Sequence, residues 1–332
     1  MRVLITALGV AFALTASCSY AQSDGEPAAA TSSAFATRVF ELPKGSRPHD
    51  AAPGPAGQIW YTGQRRGVLG IIDIASGNVR EVPLGEGSAP HGVIQGADGK
   101  AYITDGGQNA IVRYDPSTEK IDVWKLPEDS GYTNLNTPVF DGDGVLWFTG
   151  QNGIYGRVDP ADGVVSVFKD PGGRGPYGIT ATPSGEVWYV SLAGSHLAHV
   201  DRANNSVTIV EPPDASAGTR RVWSDSKGDL WVTGWNSGKL YRYHIDSGTW
   251  DQWPLPADGA RAYAVYVDRH DKIWLSDFTS NNTFLFDPGD ASFTPVPGSG
   301  PNAQVRQILG RGNEIYLPES ARDRLMLVTQ PE

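Results

Sequence analysis

The sequence predicts an all-β fold, a seven-bladed β-propeller, on three observations. First, an apolar run with a central aromatic returns seven times: Ile59-Trp60-Tyr61-Thr62, Ala101-Tyr102-Ile103-Thr104, Leu146-Trp147-Phe148-Thr149, Val187-Trp188-Tyr189-Val190, Leu230-Trp231-Val232-Thr233, Ile273-Trp274-Leu275-Ser276 and Ile315-Tyr316-Leu317-Pro318. Second, the period between equivalent positions 49, 91, 136, 177, 220, 263 and 306 is 41 to 45 residues, the length of four short strands with their turns. Third, apolar and polar residues alternate within runs rich in Val, Ile, Tyr and Trp, and no window carries helical periodicity.

From the N-terminus, Met1-Arg2 and the apolar run to Ala16 read as a secretory signal, with Ser19-Tyr20-Ala21 as the small-x-small cleavage site. Residues 1–21 are expected to leave, and the product to be periplasmic or secreted. Thr15-Ala16-Ser17-Cys18 offers lipidation as the alternative, with Thr15 where Leu is usual. Residues 22–34, rich in Ala and Ser, read as a flexible leader, and 35–332 as one propeller domain.

Within a repeat the strands run A to D. In the second, His91 to Gln95 is A, Ala97-Asp98-Gly99-Lys100 the turn, Ala101 to Thr104 B, Ala110 to Asp115 C and Ile121 to Leu126 D. The last repeat, Arg306 to Val328, supplies only three strands. The phrase typical of D stands instead at Thr37-Arg38-Val39-Phe40-Glu41-Leu42-Pro43. The N-terminal strand is therefore expected to complete the seventh blade, which removes a free sheet edge. The aromatic pairs such as Trp147-Phe148 are expected between blades, in the core.

Composition narrows the partners. The formal net charge is −10 with no basic cluster, which argues against nucleic acid and anionic membranes. No G-x-G-x-x-G or Walker pattern supports nucleotide chemistry. The N-terminal apolar run is too short to span a membrane and none follows. Cys18 is the only cysteine, so a chain cut after Ala21 has no thiol chemistry. A monomer taking a small-molecule or oligomeric substrate is expected.

In a hairpin of A and B, the start of A and the end of B lie side by side, so the seven pairs ring one mouth of the central channel. The A starts are His49, His91, Asn136, Tyr177, Arg220, Tyr263 and Arg306, and the B ends Gly63, Asp105, Gly150, Ser191, Gly234, Asp277 and Glu319. These positions are polar and varied where the strands beneath them repeat, which marks a binding face. His49 and His91 hold the same position in neighbouring blades, so both imidazoles should face the mouth. With Asp105 they offer a base near neutral pH and a carboxylate for a hard divalent cation. Asp277 and Glu319 are further candidates for the cation, and Tyr177, Arg220, Tyr263, Arg306 and Trp235, with His49, for substrate binding. His199, His244 and His270 fall on a C strand or outer turn, where structural roles suffice.

Pro90-His91-Gly92, Leu146-Trp147-Phe148-Thr149 and Ile154-Tyr155-Gly156-Arg157-Val158-Asp159 resemble the repeats of the streptogramin B lyases, the virginiamycin B lyase family, over about 36 to 330. The resemblance implies a seven-bladed propeller that opens a cyclic depsipeptide at its ester by Mg²⁺-dependent elimination, without adding water. It further implies His49 as the substrate histidine, His91 as the catalytic base and Asp105 as the strand-end metal ligand. Ala89 occupies the place of the family's other metal-binding glutamate, and Asp105 is one methylene shorter than the expected residue. Three functions follow as alternatives: a lyase acting by proton abstraction, a metal-dependent hydrolase similar to the propeller lactonases, and a ligand-binding propeller without chemistry.

Overall fold

Each repeat folds into a four-stranded antiparallel sheet, and twenty-eight strands make seven such blades in this computed structural model, which describes residues 35–298 and 300–331. Blade 1 is Pro48–Pro53, Gln58–Gly63, Val68–Asp73 and Val79–Pro83, innermost to outermost. Blade 2 is Pro90–Gln95, Ala101–Asp105, Ala110–Tyr114 and Ile121–Lys125, within one residue of the sequence reading, and blades 3 to 6 follow over residues 135–169, 176–210, 219–254 and 262–296. Among the described residues the one helical element is a single 3₁₀ turn at Glu128–Ser130, and no helix is long and apolar enough to cross a membrane. The signal and leader readings lie outside the described residues.

The seventh sheet runs Leu309–Arg311, Glu314–Glu319, Arg324–Thr329 and then Ala36–Glu41. The first described strand is thus the outermost strand of the last blade, paired from Ala36↔Thr329 to Glu41↔Arg324. Phe40 is buried there, and Leu42 beyond it. Arg306 lies just before the short inner strand, in a segment joined to Glu319's strand through the bridge Val305↔Glu319. Pro318 stands opposite that segment, and proline has no N–H to donate.

Blades pack through the aromatic residues of their B strands. Trp60, Trp147, Trp231 and Trp274 are wholly buried between apolar neighbours, and such large side chains dominate core energetics. A second repeat device sits six residues before the tryptophan. The indoles of Trp147, Trp231 and Trp274 donate to Asp141, Asp225 and Asp268 at 2.8–3.0 Å. The same carboxylates accept backbone N–H groups of the A–B turn, which fixes the turn to the core. In blades 1 and 4 the place is taken by Gly54 and Thr182, and there the Trp60 and Trp188 indole N–H groups have no hydrogen-bond partner among the described residues.

Candidate functional site

Six of the seven inner strands are interrupted at their mouth end. In blades 1 and 3 to 6 the pairing skips two residues, as between Pro48↔Gly63 and Ala51↔Tyr61. In blade 2 the skip is Pro90 to Gly92. Such bulges break the alternation of a strand and re-aim its side chains. A hydroxyl holds the irregularity in place. Thr62 Oγ1 accepts the Asp50 N–H at 3.0 Å and donates to the His91 carbonyl of the next blade at 2.7 Å. Thr233 does the same between Arg221 N–H and the Tyr263 carbonyl, and Ser276 between Ala264 N–H and the Val305 carbonyl. In the five blades whose aromatic run ends in Thr or Ser, the hydroxyl therefore sets where the channel residue stands relative to the next blade.

Two layers of side chains result. The outer layer holds the expected ring, and its members touch. The His49 and His91 rings lie 3.8 Å apart, His91 meets Tyr177 edge-on at 6.0 Å, and the Tyr177 and Tyr263 hydroxyls hydrogen-bond at 2.6 Å. Arg220 lies over Tyr263, Trp235 and Tyr177, its guanidinium carbon 3.7, 4.5 and 4.7 Å from the ring centres. Arg306 stands over Phe278 and Tyr263 at 5.0 and 5.9 Å. Both imidazoles are buried, and these contacts place His49, His91, Tyr177, Arg220, Tyr263 and Arg306 on one face.

Beneath them is a layer that sequence reasoning missed. Asp50 Oδ1 is shared by His49 Nδ1 at 2.7 Å and Arg221 Nη2 at 3.0 Å, and Arg221 Nη1 donates to Thr137 Oγ1 at 2.8 Å. Gln307 Oε1 accepts the Ala51 N–H across the closure. Gly92 and Gly178 leave the room: a Cβ on Gly178 would lie 2.7 Å from Arg221 Cα, and one on Gly92 2.4 Å from Pro138 Cδ. The available signal was a pair of adjacent polar residues, His49-Asp50 or Arg220-Arg221, opposite a Thr in the facing strand.

Electrostatics follow from this burial. Burial, with Arg221, Arg306 and Arg220 nearby, holds the His49 pKa well below that of a free imidazole. Burial and then His49 do the same for His91. Both are neutral bases at pH 7. The Tyr177 phenol is pushed up to about 12 by burial and by its tyrosine neighbour. Burial also raises the Tyr263 phenol, but Arg220, Arg221, Arg306 and the Tyr177 hydrogen bond outweigh it and leave that pKa below the ordinary value.

Two of the three carboxylates read as metal ligands are engaged by their own loops. Asp105 is fully buried and accepts from Ser88 Oγ, Ala89 N–H, Gln108 N–H and Gln108 Nε2. Asp277 accepts from the N–H groups of Arg261, Thr279 and Ser280 and from the Ser280 hydroxyl. Glu319 is buried at the end of its strand in blade 7. The three do not converge: among the described residues, His49, Asp50 and His91 are the one group of donors within 4.8 Å of one another. That group suits Mg²⁺ poorly, since Mg²⁺ prefers oxygen ligands, two of the three residues offer imidazole nitrogen, and Asp50 already pairs with Arg221. Ala89 has no donor at all. The residues present do not fit the cation. His199, His244 and His270 lie away from the mouth, against Trp188, Asp229 and Arg269 respectively.

A model of the virginiamycin B lyase family matches residues 8–284. No curated protein matches the sequence. Among solved structures, virginiamycin B lyase from Staphylococcus aureus superposes with TM-score 0.81 at 19% identity, over 89% of this chain and 99% of that one. A streptogramin B lyase gives TM-score 0.81 at 18% identity, over 90% and 98%. A structure described as YCF48 bound to D1 peptide gives 0.72 at 14% identity, over 89% and 96%. At these identities the likeness establishes the propeller fold and no more.

Proposed function

This chain belongs to the virginiamycin B lyase family, and from that premise we propose that it is an exported carbon–oxygen lyase whose base is the buried histidine pair. One observation carries the reading: two neutral imidazoles 3.8 Å apart, facing an arginine and tyrosine wall. A neutral imidazole accepts a proton, and guanidiniums in a water-poor site stabilise oxygen anions as they form.

In the proposed reaction His91 removes a proton from the carbon beside a carbonyl. The released electron pair becomes a carbon–carbon double bond, and the carbon–oxygen bond one carbon further on breaks, its electrons leaving with the oxygen. No water enters. His49, held by Asp50 at 2.7 Å, orients the pair, while Arg220 and Arg306 face the charge developing on oxygen. Since the residues do not fit Mg²⁺, no step is assigned to it. Incubation with a cyclic depsipeptide of the streptogramin B type tests the reading by mass. Elimination gives a linear product of unchanged mass that His91→Ala abolishes; a product heavier by one water, or unimpaired His91→Ala, overturns it.

The committed carboxylates and Ala89 favour a second reading, a ligand-binding propeller without chemistry. It predicts a depsipeptide that is bound and recovered intact.

A further inference from the structure

We propose that the mouth is built for a ligand that carries a permanent carboxylate beside a ring with an apolar face, held by Arg220 and Arg306 against the aromatic wall. The inference deepens the reading above by naming a substrate class and rests on the same site, but binding alone can test it.

The argument starts from unbalanced charge. Arg221 is matched by Asp50. Arg220 and Arg306, by contrast, form no ion pair among the described residues; Arg220 donates to the Tyr177 hydroxyl at 3.3 Å and Arg306 to Gln304 Oε1 at 3.3 Å. Asp105 and Asp277 do not neutralise them, because their oxygens are turned to their own loops. Two cations are thus concentrated at one mouth of a chain whose net charge is −10. The buried Arg220 Nε and His91 Nδ1 have no hydrogen-bond partner among the described residues.

The geometry selects the kind of anion. Contact with the rings of Tyr263, Trp235 and Tyr177 on several sides holds the Arg220 guanidinium in place, and its N–H groups form a fork that matches a planar carboxylate. Trp235 and Phe278, half-buried and 5.4 Å apart, offer faces for an adjacent ring. A carboxylate in this position lies beside the imidazoles, and pairing it with guanidinium lowers the charge that opposes removal of the neighbouring proton.

Two probe pairs separate the sources of such a group: digalacturonate with its methyl ester, and N-acetylphenylalanine with its carboxamide. Calorimetric titration at low salt should show the acid of one pair binding about tenfold or more tightly than its neutral mate, the preferred pair identifying a sugar or an aromatic acid. Added salt should weaken the acid selectively. Arg306→Gln should remove most of the preference. Arg220→Gln should do so too, and because Arg220 is packed among rings, Arg306→Gln decides if that variant does not fold. Neutral mates bound as tightly as the acids, no acid bound in either pair, or a preference intact in Arg306→Gln would overturn the proposal. A charge preference without depsipeptide turnover would sink only the lyase reading.

Discussion

Arg221 of blade 5 reaches across the channel to Asp50 of blade 1, Nη2 to Oδ1 at 3.0 Å, and both side chains are buried. The pair floors the mouth, and the oxygen it uses also holds His49 Nδ1. Removing one partner of a buried pair leaves an uncompensated charge, which costs about 3–5 kcal/mol. Arg221→Met should therefore lower unfolding stability by roughly that amount, and adding Asp50→Asn should recover part of it. A loss below about 1 kcal/mol in denaturant titration would show that the pair does not hold the floor.

The hydroxyl stitches make a second expectation. Thr233→Val removes the acceptor for Arg221 N–H and the donor to the Tyr263 carbonyl, both buried. Leaving such groups unsatisfied costs about 1–3 kcal/mol each, whereas Thr233→Ser keeps the hydroxyl and should cost less. Equal midpoints for the Val and Ser variants would remove the stitch from the argument.

Closure of the ring is testable by truncation. The strand Ala36–Glu41 pairs along its whole length and brings Phe40 into the core of the last blade. A chain beginning at residue 44 should melt well below one beginning at residue 35, and Phe40→Ala alone should cost about 3–5 kcal/mol. Equal melting temperatures for the two truncations would refute closure by this strand.

The two mouth histidines give stability a pH dependence with a definite sign. Their folded pKa values lie well below 6.5, so below pH 6.5 the unfolded chain takes up protons that the fold does not. Stability should fall as pH drops from about 6.5 toward 5, by up to about 1.4 kcal/mol per pH unit for each histidine. His244, raised by Asp251 and Asp229, works oppositely: its contribution is present below 6.5 and lost as pH rises through its folded value. The double variant His49→Gln/His91→Gln should flatten the acid-side slope. An unchanged slope would mean that the imidazoles are charged in the fold.

The blades were legible because Ile-Trp-Tyr-Thr and its relatives alternate, and alternation is what a half-buried strand imposes. The same rule hid the lower layer. With strict alternation His49 and Asp50 point to opposite faces, so only one of them belongs to the channel; the bulge at Pro48 to Ala51 brings both to it. The surroundings of Asp105 were hidden for a different reason. Its place at a strand end beside Ala89 suits a metal ligand by position, but the Ser88 hydroxyl and the Ala89 and Gln108 N–H groups consume its oxygens, and no sequence pattern announces a carboxylate used to cap a loop.

The last expectation separates these two roles for Asp105. As a loop cap with four donors, it should make Asp105→Asn costly in stability, about 1–3 kcal/mol, without altering any response to metal. Turnover or ligand binding should survive exhaustive chelation, and Ala89→Glu should not create a response to Mg²⁺, because the introduced carboxylate finds Asp105 already occupied. Calorimetric titration of Mg²⁺ into wild type and Ala89→Glu reads this without any substrate. Saturable Mg²⁺ binding to the wild-type chain that Asp105→Asn abolishes would return Asp105 to the metal and, with it, the chemistry to the metal-assisted route.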